Sequence, residues 1–546
     1  MSSSIEKRLS RMFEKYRIVF WYDREVELRD EFEELELPGV NKLVIDNNEF
    51  GLKYRMIREQ RKDKFLLYHE GPEPADTDNW LLDLVLANGE FHTDQVSIWL
   101  DELDLGGEFA DVVQEHIEFF NAQARRDALK KRVHDGITEK KLKLNMLAVC
   151  ASSEPMIYDV LESLLEELSE EKDSRFRLIE RCGLDRFLWK QMEGLYGYSS
   201  EKPGVRDFAI ELFKSCWKIG LEEESGLYDQ ALILLNRWKN NRKRYQSFEK
   251  LSAEYSELLS ISKGLEGRDY LELIDLDYFE VIDRKILSDL VREVTDQTIS
   301  AADCADILRR REQTHWYDEY RHSYEAAGCA SEFLGMMNNI SLEIESASQG
   351  VKAYAETWFR VDQLYRRFIC HLNLSGHRTL MDDLYDKIEN IYNNQFLLKI
   401  NNNWQQVVDG MKKWSFSGVM NQRDFFERWA APFLKDGNKI YVVISDAMRY
   451  EVGEELVERI VQEDRFRAEI ESALGVLPSY TQLGMGALLP NRELEISADR
   501  SGKVLVNGKD SQGSVNRGKI LRGQLKHRSA VMPADEFLKK NNEEAR

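Results

Sequence analysis

The chain has 546 residues, 42% hydrophobic and 32% charged, with a formal net charge of -22. At a rough ~150 residues per domain, that is room for about three or four domains of ordinary globular composition. The acidic balance excludes a broad non-specific nucleic-acid scaffold and leaves only local basic patches for phosphate. No run approaches the ~20 apolar residues of a membrane-spanning helix, so no membrane partner is expected.

Six cysteines stand singly at 150, 182, 216, 304, 329 and 370, with no CxxC pair. That pattern supports neither a disulfide framework nor a thiolate zinc site, and it points to a reducing compartment. The start, Met1-Ser2-Ser3-Ser4-Ile5-Glu6-Lys7-Arg8, lacks the apolar core of a signal peptide. The expected location is cytoplasmic.

Residues 1–105 read as a small parallel α/β domain. Ile18–Asp23, Lys42–Asp46 and Phe65–His69 are strand candidates, with amphipathic stretches such as Val26–Leu35 between them. Asp23, Asp46 and Glu70 fall at or just past the strand ends. They could form an acidic metal site, but turn-favouring acids commonly follow strands, and the second reading is the expected one. No GxxxxGK[ST] loop occurs.

Residues 106–430 read as a large helical region, with room for two subdomains. None of the nine prolines falls between Pro203 and Pro432, which permits many uninterrupted helices. Phe248, Leu251, Tyr255 and Leu258 step as one buried helical stripe. Arg309-Arg310-Arg311, followed by His315, Trp316, Tyr317, Tyr320, Arg321 and His322, mixes bases with aromatics as single-strand binders do. A helix with aromatics inward and arginines outward gives the same string and is the expected reading. His315 and His322, seven apart, would share a helix face without closing a metal site. Trp358, Asp362 and Tyr365 read as a packing face, with Asp362 paired to a nearby base.

Residues 431–546 carry the chemistry. Lys439-Ile440-Tyr441-Val442-Val443-Ile444-Ser445-Asp446 is a β-branched apolar run that ends on an aspartate. Such runs read as strands buried on both faces, with ligands beyond their carboxyl ends. Met448, Val452, Leu456 and Ile460 step by four, so a helix should follow and pack back on the sheet. A second strand near Arg467–Leu474 would lead to Pro478-Ser479-Tyr480-Thr481, with a helix over Leu483–Leu489. Thr481 would then lie in or near a first helical turn, where backbone N–H groups favour anions. A threonine hydroxyl needs activation to act as a nucleophile, and metal coordination is one route. Strand-then-Asp and Thr-before-helix are equally ordinary strand-end and capping features.

Two motifs, Ser445-Asp446-Ala447-Met448-Arg449-Tyr450-Glu451 and Leu477-Pro478-Ser479-Tyr480-Thr481-Gln482-Leu483-Gly484-Met485, resemble the PglZ family of BREX bacteriophage-defence systems. Gln422-Arg423-Asp424-Phe425-Phe426 and the Trp358–Arg366 helix extend that resemblance over roughly residues 350–546. PglZ domains belong to the alkaline phosphatase superfamily. The resemblance implies a metal-dependent phosphatase or phosphodiesterase with a two-metal centre, most simply zinc. Asp446 would be a metal ligand, and Thr481 the metal-bound nucleophile. Many relatives read Pro-Thr-x-Thr-x-Pro-Asn at the nucleophile turn. Here Ser479 replaces the first threonine and Leu483-Gly484 replaces Pro-Asn, so substrate class does not transfer.

A two-metal centre needs further Asp and His ligands. After Thr481 the sole histidine is His527, between Lys526 and Arg528. The expectation is therefore that the chain stops inside the catalytic domain, leaving these 546 residues without the later ligands and without robust activity. Residues 501–528 carry seven bases against Asp510, a net of +6, with Asn507-Gly508 marking a hairpin or loop. This stretch either contacts phosphate, including nucleic acid, or is a solvated surface. Three functions follow: a BREX hydrolase, an assembly platform binding other BREX proteins, or a nucleic-acid-acting subunit.

Overall fold

The computed structural model describes residues 2–24, 26–91, 95–134, 136–525 and 529–540. His527, Lys526 and Arg528 lie outside the described residues. The architecture is α/β plus α, in two compact units, Met1–Ser260 and Ile261–Arg546.

The first unit opens with helix α1 (Ser2–Lys15) and four parallel strands. These are β1 (Ile18–Asp23), β2 (Val40–Val44), β3 (Lys64–Glu70) and β4 (Gly89–Phe91), in the order β2-β3-β1-β4. Every residue of β1 is buried. The reason is a period of two: Ile18, Phe20 and Tyr22 enter one core with Leu52, Met56 and Leu84. Val19 and Trp21 enter another, covered by Ile5, Leu9 and Phe13 of α1. β2 is displaced two residues towards the amino terminus from the expected Lys42–Asp46, and β4 escapes the sequence pattern because it spans three residues.

The acids at these strand ends serve the fold. Asp23 is buried and accepts hydrogen bonds from the Tyr68 hydroxyl at 2.6 Å and the Leu28 backbone N–H at 2.8 Å. Glu70 pairs with Arg29, and Asp46 is exposed.

Further along this unit, α2 (Ile157–Ser169) and α3 (Tyr245–Leu258) pack together. Phe248, Leu251 and Tyr255 are fully buried as the spacing predicts, whereas Leu258 at the helix end is exposed. The buried Glu162 carboxylate accepts from Arg237 at 3.0 Å, Asn241 at 2.7 Å and Arg244 at 3.3 Å.

The second unit is built on α4 (Glu280–Asp296), α5 (Ala301–Arg311), α6 (Tyr317–Asn339) and α7 (Phe359–Ser375). The basic-aromatic string around residue 315 is a packing element with one inversion. Arg309 and Arg310 face Asp306 and Asp275 outside, but Arg311 is fully buried. Its guanidinium donates to Asp283 at 2.6 Å and to the carbonyls of Ile274 and Leu276. The Tyr324 hydroxyl reaches the same Asp283 at 2.7 Å. His315 sits in the turn between α5 and α6, so it shares no helix face with His322.

After α7 come β5 (Met420–Asn421), α8 (Tyr450–Gln462), β6 (Ala473–Leu474) and α9 (Thr481–Ala487). An antiparallel sheet follows, β7 (Leu494–Ile496), β8 (Val504–Val506) and β9 (Lys509–Asp510), then α10 (Gly513–Leu525). β5 and β6 pair in parallel over two residues.

The strand expected over Lys439–Asp446 does not form. Residues 441–449 are exposed, and Val443 is 85% so. Among the described residues no strand pairs with this run. Its β-branched side chains therefore lack the covering layers that a doubly buried strand requires. The second expected strand shrinks to β6 for the same reason, and the expected stripe stays open at Met448, which precedes α8, and at Leu456 on it. Among the described residues no helix is long and apolar enough to cross a membrane.

Removing one partner of a buried ion pair strands the other charge, at about 3–5 kcal/mol. Arg311→Ala is therefore expected to lower unfolding stability by that order in denaturant titration. Arg310→Ala, which removes an exposed partner, should cost under about 1 kcal/mol.

Candidate functional site

Asp446 lies in a turn of an exposed segment, with Ala447 beside it at φ 56°. Among the described residues its carboxylate makes no hydrogen bond or ion pair. Three residues on, the chain is fixed firmly. Arg449 forms an ion pair with Asp362 on α7 at 2.9 Å and donates to the Tyr392 hydroxyl at 3.4 Å. Burial works against its charge, but Tyr392, Asp362 and Glu451 outweigh that and raise its pKa above the ordinary value.

Asp362 is the centre of this knot. It is buried and also accepts from Tyr354 at 2.5 Å and Tyr392 at 2.6 Å. It is thus paired to a base, as its helical position suggested, and the base is Arg449. Trp358 is buried beside it, and Tyr365 stacks on Tyr392 with ring centroids 3.6 Å apart.

The first turn of α8 is held by a second arginine. Arg366 on α7 donates through Nε to both oxygens of Glu451, at 2.9 and 3.1 Å, and through Nη2 to Glu455 at 2.6 Å. Glu451 is fully buried. The helix therefore docks through its acids on α7, not through its apolar stripe on a sheet. The alternation of Arg449 and Glu451 in the motif was the available signal for this, and apolar spacing alone hides it.

Thr481 opens α9, and its side chain is exposed. With only seven residues, α9 is a weaker source of helix dipole than the sequence implies. The turn before it contains a cis Leu477–Pro478 bond and is braced from three sides. Gln422 accepts from the Val476 N–H at 3.3 Å and donates to the Gly484 carbonyl at 3.4 Å. Trp414 donates to Gly475 at 2.8 Å, and the Tyr480 hydroxyl reaches Gly502 at 3.0 Å. Gln422 and Trp414 precede the turn by more than fifty residues, so no local pattern identifies them.

Among the described residues no group of three or more His, Cys, Asp or Glu side chains could hold a metal ion. One carboxylate and one hydroxyl are too few ligands for the two-metal centre that the resemblance implies, so the described residues do not fit it. The basic stretch takes a definite form: β8 and β9 make a hairpin at Asn507-Gly508, both with positive φ, as a tight hairpin turn requires. Residues 513–525 of the stretch form helix α10, and Lys526 and Arg528 lie outside the described residues.

Residues 425–546 match the BREX system PglZ alkaline phosphatase-like domain. The chain carries a PglZ domain. The alkaline phosphatase-like protein BrxZ of Escherichia coli O9:H4 (strain HS) is 28% identical over 580 aligned residues. That alignment covers 98% of this chain and 66% of the relative. The alkaline phosphatase-like protein PglZ of Bacillus cereus (strain H3081.97) is 26% identical over 539 residues, covering 95% and 63%. The chain thus spans about two thirds of the length of the curated relatives it matches. No solved structure matches. Asp446, Arg449, Glu451 and Thr481 all fall inside the PglZ domain, whereas Asp362, Arg366, Trp414 and Gln422, which brace them, fall before it.

The hydrogen bond from Arg366 holds the Glu455 carboxyl below its ordinary value of 4.5. A depressed carboxyl pKa adds stability above the unfolded value, and that contribution is lost as pH falls through the folded one. Amide protection across α8 is therefore expected to weaken below about pH 4.5. Hydrogen exchange should show a flatter pH dependence in Glu455→Gln.

Proposed function

We propose that the chain is a component of a BREX bacteriophage-defence system. Its PglZ domain belongs to a metal-dependent phosphatase or phosphodiesterase in which Thr481 is the nucleophile and Asp446 a ligand of a divalent metal such as zinc. The observation that carries this reading is the domain match over residues 425–546, which contains both motifs. Two further features support it. Asp446 and Thr481 are exposed and engaged with no other group among the described residues; Asp446 lies three residues before the braced Arg449, and Thr481 follows the braced 475–480 turn. The Thr481 hydroxyl oxygen would attack phosphorus, and the alcohol of the ester would leave. Hydrolysis of an aryl phosphodiester by a protein spanning the relatives' full length, with added zinc or manganese, tests the reading. Thr481→Ala and Asp446→Ala should each lower the rate at least about 100-fold, and wild-type rates in both would overturn the assignment.

A second reading, an assembly platform for other BREX proteins, is favoured by the exposed apolar run Tyr441, Val442, Val443 and Ile444. Contiguous apolar surface of this kind marks interaction sites. Co-purification from cells that carry a whole BREX system should recover partner proteins with this chain. Charged substitutions at Val442 and Val443 should release them. Recovery of the chain alone would count against the platform.

A further inference from the structure

Helices α6 and α7 form the most extensively packed helix pair of the second unit. Near one end of that pair, His322 of α6 and His371 of α7 bring their Nδ1 atoms to 3.0 Å, with ring planes 39° apart. Both rings are half-buried. Two imidazole lone pairs converging on one point can share a proton, one ring donating to the other, or they can share a cation.

The geometry points to a metal site, remote in sequence from the PglZ motifs, in which His322 and His371 bind one divalent transition cation through their Nδ1 atoms. Metal–imidazole bonds of about 2.0–2.1 Å across the 3.0 Å span subtend an angle of roughly 90° at the metal. That is the cis angle of a tetragonal centre and is narrower than a tetrahedral zinc site needs. It favours Cu2+ or Ni2+, with water completing the sphere. Because the two ligands come from different helices, such a cation would clamp α6 to α7.

The surroundings favour a neutral His371 ring. Burial pushes the His371 pKa below its ordinary 6.5, and His322, Arg367 and Arg321 add to that, while Glu325 opposes it. The ring is therefore in its ligand form at neutral pH. Arg321 and Arg367 set against Glu325 give the neighbourhood no cation-attracting field, so affinity must come from coordination itself. Cys370, exposed beside His371, and Cys329 on α6 are the nearby thiols and are controlled for in the test.

The test uses the full chain, stripped with chelator and titrated calorimetrically with Ni2+ alone. Wild type should bind one equivalent. His322→Gln and His371→Gln should each weaken it at least tenfold, while His134→Gln, on an exposed histidine of the other unit, should leave it unchanged. Cys370→Ser should also retain it. If either glutamine variant fails to fold by circular dichroism, Cu2+ electron paramagnetic resonance of the Cys370→Ser protein decides the matter. Hyperfine coupling to two histidine nitrogens supports the site, and coupling to one or none overturns it. Undiminished Ni2+ binding in both folded glutamine variants, or no binding by wild type, likewise overturns it and leaves the pair as a hydrogen-bonded helix contact.

Discussion

The second unit depends on how two arginines and three acids are shared between α7 and the start of α8. Asp362, Glu451 and Glu455 bring negative charge into a partly dry region, and Arg366 and Arg449 answer it with directed N–H groups. Ionised groups withdrawn from water are tolerated only when paired and hydrogen-bonded. Glu451, with no exposed surface, meets that condition through the bifurcated Nε–H bond and the Nη2 ion-pair contact from Arg366. The consequence is positional. Asp446 stands three residues before an arginine pinned on both sides, so the exposed turn that carries it leaves from a fixed point.

The same logic recurs at Glu162 in the first unit and around Arg311 and Asp283 in the second. In each case a buried charge is surrounded by two or more directed partners. The apolar core supplies most of the burial, and these knots select which helix meets which. At Thr481 the device differs. Gln422 and Trp414 hold backbone groups of the turn before Thr481 directly, so its shape rests on neutral hydrogen bonds rather than on charge.

What the sequence revealed divides along physical lines. Ile18–Asp23 was legible because alternating residues fill two cores, which makes a continuous apolar run. The helical middle was legible from the absence of proline, and the Thr481 turn from its own proline. Lys439–Asp446 is likewise an apolar, β-branched run ending on an aspartate, yet its residues 441–446 lie exposed. A run of apolar residues states only that a strand would be buried if neighbours were present. It carries no information about whether they are. Arg311 misled for a related reason: three consecutive arginines look equivalent in sequence, and only the position of Asp283 decides which one turns inward. The supports of the candidate site, Asp362, Arg366, Trp414 and Gln422, are set by long-range packing and were legible only in part, through the pairing expected of Asp362.

The knot also bears on where this protein can be divided. The PglZ match begins at residue 425, but a polypeptide cut there would carry Glu451 without Arg366 and Arg449 without Asp362. It would also carry the Pro478–Thr481 turn without Gln422 or Trp414. The boundary of recognisable sequence is thus not a boundary of autonomous folding. For expression or domain grafting, the smallest self-sufficient piece must begin ahead of α7.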